Sequence, residues 1–137
     1  MTDVEKYLFV PYVPGGRETD GFDCWGLTLL VRREMGLPEL EGPADANREN
    51  PLAMQRLYSR ITSGPLEPVP DLQPGDVAAV FRARVLVHVA VAVEIDGRIA
   101  LLETNPGSGV RWMYLDRFLQ TYYQVTFYRD RSIPESS

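Results

Sequence analysis

The chain of 137 residues holds one cysteine, one histidine and one lysine. Each scarcity removes a class of explanation. A single Cys cannot close an internal disulfide, so no oxidised framework holds the fold together. One Cys and one His cannot supply the ligands of a structural zinc site, and neither metal nor cofactor is implied. Fourteen basic residues face nineteen acidic ones, a formal net charge of −5, and thirteen of the fourteen are arginines scattered along the chain. That distribution lacks the basic face a polyphosphate needs and argues against a nucleic-acid partner. Long apolar runs are also missing. The longest, Val85–Val93, contains His88 and is roughly half of a membrane span, so no membrane partner is expected. The opening "MTDVEKYLFVPYVPGG" carries acids where a secretory leader needs positive charge. The expectation is a product made in the cytoplasm without a signal peptide, reaching any other compartment by some other vehicle.

What is present suits one globular domain spanning 1–137, with 130–137 as a frayed polar tail. "PYVPGGRETDGF" (11–22) reads as a loop on its Gly, Pro and Asp content. Asp23 is a good N-cap for a helix "CWGLTLLVRREM", stopped by Gly36 and Pro38 and apolar on most faces, hence central and buried. Asn50 and Pro51 open a second helix, "NPLAMQRLYSRITSG". "GPLEPVPDLQPGD" is a turn-rich linker. Strand-type runs then follow at Val77–Arg82, Val85–Glu94, Arg98–Thr104, Val110–Tyr114 and Tyr122–Tyr128, with Asp96–Gly97 as a hairpin turn. Helices first and strands later predict an α+β fold: N-terminal helices on a C-terminal antiparallel sheet of about five to six strands.

Cys24 falls in the first turn of its helix, where unpaired N–H groups and the helix dipole favour a thiolate. A free Cys is also, very often, a small buried hydrophobe. His88 lies in "RVLVHVAVAVE", where alternation sets Leu86, His88, Ala90 and Ala92 on one face and the valines on the other. The valines belong to the core, and the small alanines beside His88 leave room for a neighbour or a substrate. By itself His88 is an ordinary surface histidine of a sheet; with Cys24 it makes the two halves of a Cys–His dyad. A third group should orient the imidazole. If Ile95 pairs with Arg98, Asn105 falls opposite His88 and Glu103 opposite Ala90, and either can accept the second ring N–H.

These segments resemble a known signature. "PYVPGG…GFDCWGL", "LQPGDVAAVF", "HVAVAVEIDGR" and "ETNPGSGV" occur in the order found in the NlpC-type cell-wall peptidases, papain-like cysteine hydrolases of peptidoglycan. The resemblance runs from Tyr12 to about Val110. It implies Cys24 as nucleophile, His88 as general base and Tyr12 as a group near the oxyanion or substrate. Asp23 and Trp25 are weaker substrate-binding positions, and Gly15 and Gly16 serve backbone geometry. It places Glu103 where the family usually has His, Asn or Gln, with Asn105 as the alternative third member. The implied activity is cleavage of the γ-D-glutamyl to diamino-acid link of peptidoglycan stem peptides. Trp25 after the cysteine looks most like phage and prophage tail versions, which implies tail proteins as partners and action at the cell wall. An amidase or acyltransferase of the same fold, or a non-catalytic tail component, are the competing readings.

Overall fold

The computed structural model describes residues 4–18, 20–40, 42, 43, 46 and 49–131. The helix opened by Asp23 runs Cys24–Glu34 (α1), and that opened by Asn50 runs Pro51–Ser63 (α2). Each cap acts as its residue type suggests. An Asp23 oxygen accepts from Gly26 N and the Asn50 side chain accepts from Ala53 N. α1 ends where Gly36, at φ +78, turns the chain left-handed and lets Leu37 N return to Arg32 O at 3.0 Å. Two short strands, Arg17–Glu18 (β1) and Gly21–Phe22 (β2), pair within the stretch read from sequence as plain loop.

The remaining strands are Leu66–Val69 (β3), Val77–Arg82 (β4), Val85–Ile95 (β5), Arg98–Asn105 (β6), Gly109–Tyr114 (β7) and Gln124–Asp130 (β8), with a short helix Leu115–Thr121 (α3) before the last. They form one six-stranded antiparallel sheet in the order β3-β8-β4-β5-β6-β7. The α+β, papain-like architecture expected from the sequence is the one observed. β3 is the exception, since it lies inside the segment read as linker. It can be a strand despite Pro68 because it is an edge, pairing only with β8, where a missing N–H costs no ladder bond. The short α3 was read as neither helix nor strand. Residues 132–137, where most of the tail was expected to fray, lie outside the described residues.

α1 and α2 cover one face of the sheet, and their apolar sides make two clusters with it. Trp25, Met54, Leu57 and Ile61 meet Val77, Ala79, Leu86 and Val89. Leu27, Leu30 and Val31 meet Val91, Val93, Ala100 and Leu102. The opposite face is covered as well: Ala78, Ala90, Ala92 and Leu101 pack with Phe118 of α3. The room that the alanines beside His88 leave is taken by a neighbour, Phe118 of α3.

One irregularity decides the site. Val80 pairs with His88 but Phe81 pairs with Leu86, so Val87 is an extra residue on β5. Such a bulge breaks alternation and re-aims the neighbouring side chains. Leu86 consequently joins Val89 in the helix-side core, and not the His88 face that strict alternation assigned to it. Val85 is partly exposed and Val87 packs on the α3 side, so only Val89, Val91 and Val93 keep the core face predicted for all the valines.

Candidate active site

α1 presents Cys24 at its first position, as a thiol outside any disulfide and only 1% exposed. The surrounding loop is pinned by Asp23. Its Oδ1 takes Gly26 N at 2.8 Å and Arg17 Nη1 at 2.6 Å, and its Oδ2 takes Gly15 N at 2.7 Å. Arg17 continues the clamp to the carbonyls of Gly16, at 2.7 Å, and Ala46, at 3.2 Å. Three of the roughly four acceptor sites of this buried carboxylate are thus spent on the protein. Asp23 holds the helix start, and Trp25, 1% exposed, packs in the core.

The glycines of the motif have a steric cause. A Cβ on Gly26 would lie 2.1 Å from Gly16 O, and one on Gly16 would lie 2.4 Å from Gly21 O. Only bare backbone lets the 15–22 loop close on the N-terminus of α1. That closure also brings in Tyr12, bridged to Phe22 in parallel. Burial holds the Tyr12 phenol protonated far above its usual range, with the negative charge of Cys24, Glu49 and Asp23 adding to it. Tyr12 therefore stands beside Cys24 as a hydroxyl and not a phenolate.

His88 and Glu103 are both fully buried, and His88 Nε2 lies 2.8 Å from Glu103 Oε1. The observed β5–β6 register pairs Ile95 with Arg98, as the hairpin reading assumed, and the Glu103 side chain reaches the ring diagonally. Asn105, the alternative, is buried with its side chain against the Tyr122 hydroxyl. Burial alone would push the Glu103 carboxyl up. The hydrogen bond and charge of His88, helped by Arg111 and Tyr122, more than reverse this and hold it down to about 2. An ionised Glu103 only accepts, so Nε2 must carry the proton, and Nδ1 is the ring nitrogen left to serve a thiol. Cys24 packs in one cluster with Leu86 and Val89, the residues on either side of the bulged segment that carries His88. The fold thereby sets the N-terminus of α1 against the histidine strand.

Two neighbours of this pair were not singled out in the sequence. Tyr122 donates to Glu103 Oε1 at 2.8 Å, and its ring lies 5.5 Å from the imidazole, centroid to centroid. Arg111 Nε donates to Glu103 Oε2 at 2.7 Å. Arg111 was legible in principle: the "NPGSG" turn pairs Asn105 with Gly109, which sets Glu103 opposite Arg111 as a cross-strand pair of opposite charge. Tyr122 was not, since it arrives by way of α3. Beside His88, a cavity of about 410 Å³ is walled by Val87, Phe81, Arg82, Tyr122 and Tyr123 among others.

Residues 9–131 match the model of the NlpC/P60 family. The chain belongs to that family. Its fold is similar to a solved NlpC/P60 structure, the crystal structure of the NlpC/p60 domain of the peptidoglycan hydrolase SagA. That match has a TM-score of 0.58 and 22% sequence identity, covering 90% of this chain and 88% of that one. No curated protein matches the chain. NlpC/P60 membership agrees with the resemblance drawn from the four motifs.

Proposed function

We propose that this NlpC/P60 chain is a cysteine peptidase of peptidoglycan, with Cys24 as nucleophile, His88 as general base and acid, and Glu103 as the group that orients His88. The observation that carries the reading is the buried His88–Glu103 hydrogen bond on a strand packed against the helix that Cys24 opens. The similar solved structure is a domain of a peptidoglycan hydrolase, which supports the choice of substrate class. His88 Nδ1 takes the thiol proton, and the helix N-terminus favours the thiolate that results. The thiolate adds to an amide carbonyl. The oxyanion is received by the Cys24 backbone N–H and the Tyr12 hydroxyl, which its surroundings keep protonated. The imidazolium then protonates the leaving amine, and water, deprotonated by His88, releases the acyl group.

On the resemblance of the motif set we take the scissile bond to be the γ-D-glutamyl to diamino-acid link, and the protein to be carried to the wall in a phage or prophage tail. Incubation with purified peptidoglycan, read by mass spectrometry of the fragments and by release of new amines, tests the chemistry. Cys24→Ala should lower amine release by roughly 10³-fold or more while leaving the circular dichroism spectrum unchanged. Undiminished release in that variant would sink the assignment. Fragments retaining an intact stem peptide would indicate a sugar–peptide amidase instead.

One observation favours a non-catalytic role: Cys24 and His88 are 1% and 0% exposed. Alkylation by iodoacetamide decides it. A poised dyad alkylates well below the free-thiol pKa of about 8.5, whereas a structural thiol reacts only above it or not at all.

A further inference from the structure

Glu103 is an anion with no exposed surface, yet its charge is not left to His88 alone. Oε1 takes His88 Nε2 and the Tyr122 hydroxyl, each at 2.8 Å, and Oε2 takes Arg111 Nε at 2.7 Å. An unpaired buried carboxylate beside an imidazole would bind the imidazole's proton tightly and resist giving it up. A guanidinium on the far oxygen opposes that pull, because the pair sums to no net charge. Arg111 is 45% exposed, so solvent screens part of its charge and the cancellation is partial.

The other groups facing the site do not supply this balance. Cys24 comes from α1, Tyr12 and Glu49 from the loops, and Asn105 and Tyr122 from β6 and the end of α3. Arg82, on β4, lines the cavity beside His88. Among the ion pairs of the described residues, Glu103 has two cationic partners, His88 and Arg111.

We propose that Arg111 is a positioning residue that balances charge behind the dyad: by pairing with the far oxygen of Glu103 it turns a buried anion into a nearly neutral acceptor, and so sets the pH at which His88 releases its proton. The inference rests on the peptidase reading only for its consequence in catalysis. The titration itself is a property of the fold.

Because the chain has one His and one Cys, the test is free of overlap. The full chain, labelled for NMR and carrying Cys24→Ala to remove coupling between thiol and imidazole, is titrated through the His88 ring signals. Arg111→Gln keeps a hydrogen-bond donor and loses the charge; it should raise the His88 midpoint by about one pH unit. Arg111→Lys keeps the charge and should stay near the parent. Glu103→Gln strands the guanidinium and should lower the midpoint, and the double variant Glu103→Gln, Arg111→Gln should return it toward the parent. A His88 midpoint that is unmoved in Arg111→Gln, or that moves alike in Arg111→Gln and Arg111→Lys, overturns the proposal. With Cys24 restored, the His88 ring midpoint of the Arg111→Gln protein should again lie above the parent's, so that the thiolate–imidazolium pair persists to higher pH. Neither readout needs turnover, so a protein inactive on peptidoglycan would refute the functional reading and leave this one standing.

Discussion

Gly26 occupies a helical position, where propensity alone says that Ala would stabilise by about 1 kcal/mol. The Gly16 carbonyl, 2.1 Å from where the new Cβ would sit, reverses the sign, because the obstacle is backbone and cannot swing aside. Gly26→Ala should therefore cost about 2–3 kcal/mol by overpacking, read as a lower urea midpoint, and should loosen the loop that carries Tyr12. Glu103 makes the second residue-scale prediction. Its carboxyl titrates at about 2 in the folded chain against an ordinary 4.5, so between those values the unfolded chain holds more protons. The stabilisation is then full above about pH 5 and is lost as pH falls toward 2, on the order of 3 kcal/mol for this fully buried group. The stability gap between the parent and Glu103→Gln should narrow steadily over that window, as followed by urea unfolding at pH 6, 4 and 3. A gap that is constant with pH would mean that the carboxylate contributes packing and no charge.

Among the elements, the β4–β5 hairpin is the strained one. Its turn residues Ala83 and Arg84 both have positive φ, at 50 and 68, whereas the β5–β6 turn puts Asp96 and Gly97 in the same conformation. Asp-Gly is well matched to that turn and Ala-Arg is not, since a Cβ in the left-handed region costs about 1–2 kcal/mol per residue. Replacing the pair by Asn-Gly should raise stability by about 1 kcal/mol, measured by thermal unfolding. Sequence-based reading found the Asp96–Gly97 turn because its chemistry is local. It likewise found both long helices from their caps, Asp23 and Asn50. It missed α3 and β3, whose residues carry weak or contrary local signals and are held by tertiary contacts, α3 by Phe118 in the far core and β3, with Pro68, by pairing along one edge with β8. It also misassigned Leu86, because a bulge arises from pairing with β4 and leaves no mark on β5's own pattern.

Two buried ion pairs tie the whole molecule together. Arg32 of α1 donates to Gly75 O at 2.7 Å and contacts Asp130 at the end of β8 at 3.4 Å. Arg129 donates to Asp76 through Nη2 at 2.9 Å and through Nε at 3.0 Å, and reaches the Asp71 carbonyl at 2.7 Å. These contacts fasten the helix layer and the 70–76 segment to the strand that closes the chain. Removing one partner leaves the other charged and buried, so Arg129→Met should destabilise by about 3–5 kcal/mol. Replacing Asp76 and Arg129 together by apolar residues should cost much less, and a double-mutant cycle in urea measures the difference.

Local chemistry determined the two long helices, the paired turn at Asp96–Gly97 and the α+β order. All of these depend on caps, periodicity and composition within short windows. The choice between Glu103 and Asn105 as the partner of His88 Nε2 belonged to the tertiary structure, as did the burial of Asp23 and Trp25. So did the arrival of Tyr122 and Arg111 at the same carboxylate. A bulge, a diagonal reach across a ladder and a helix folded over the far face bring together residues that lie far apart along the chain. No window of sequence carries the distance between them.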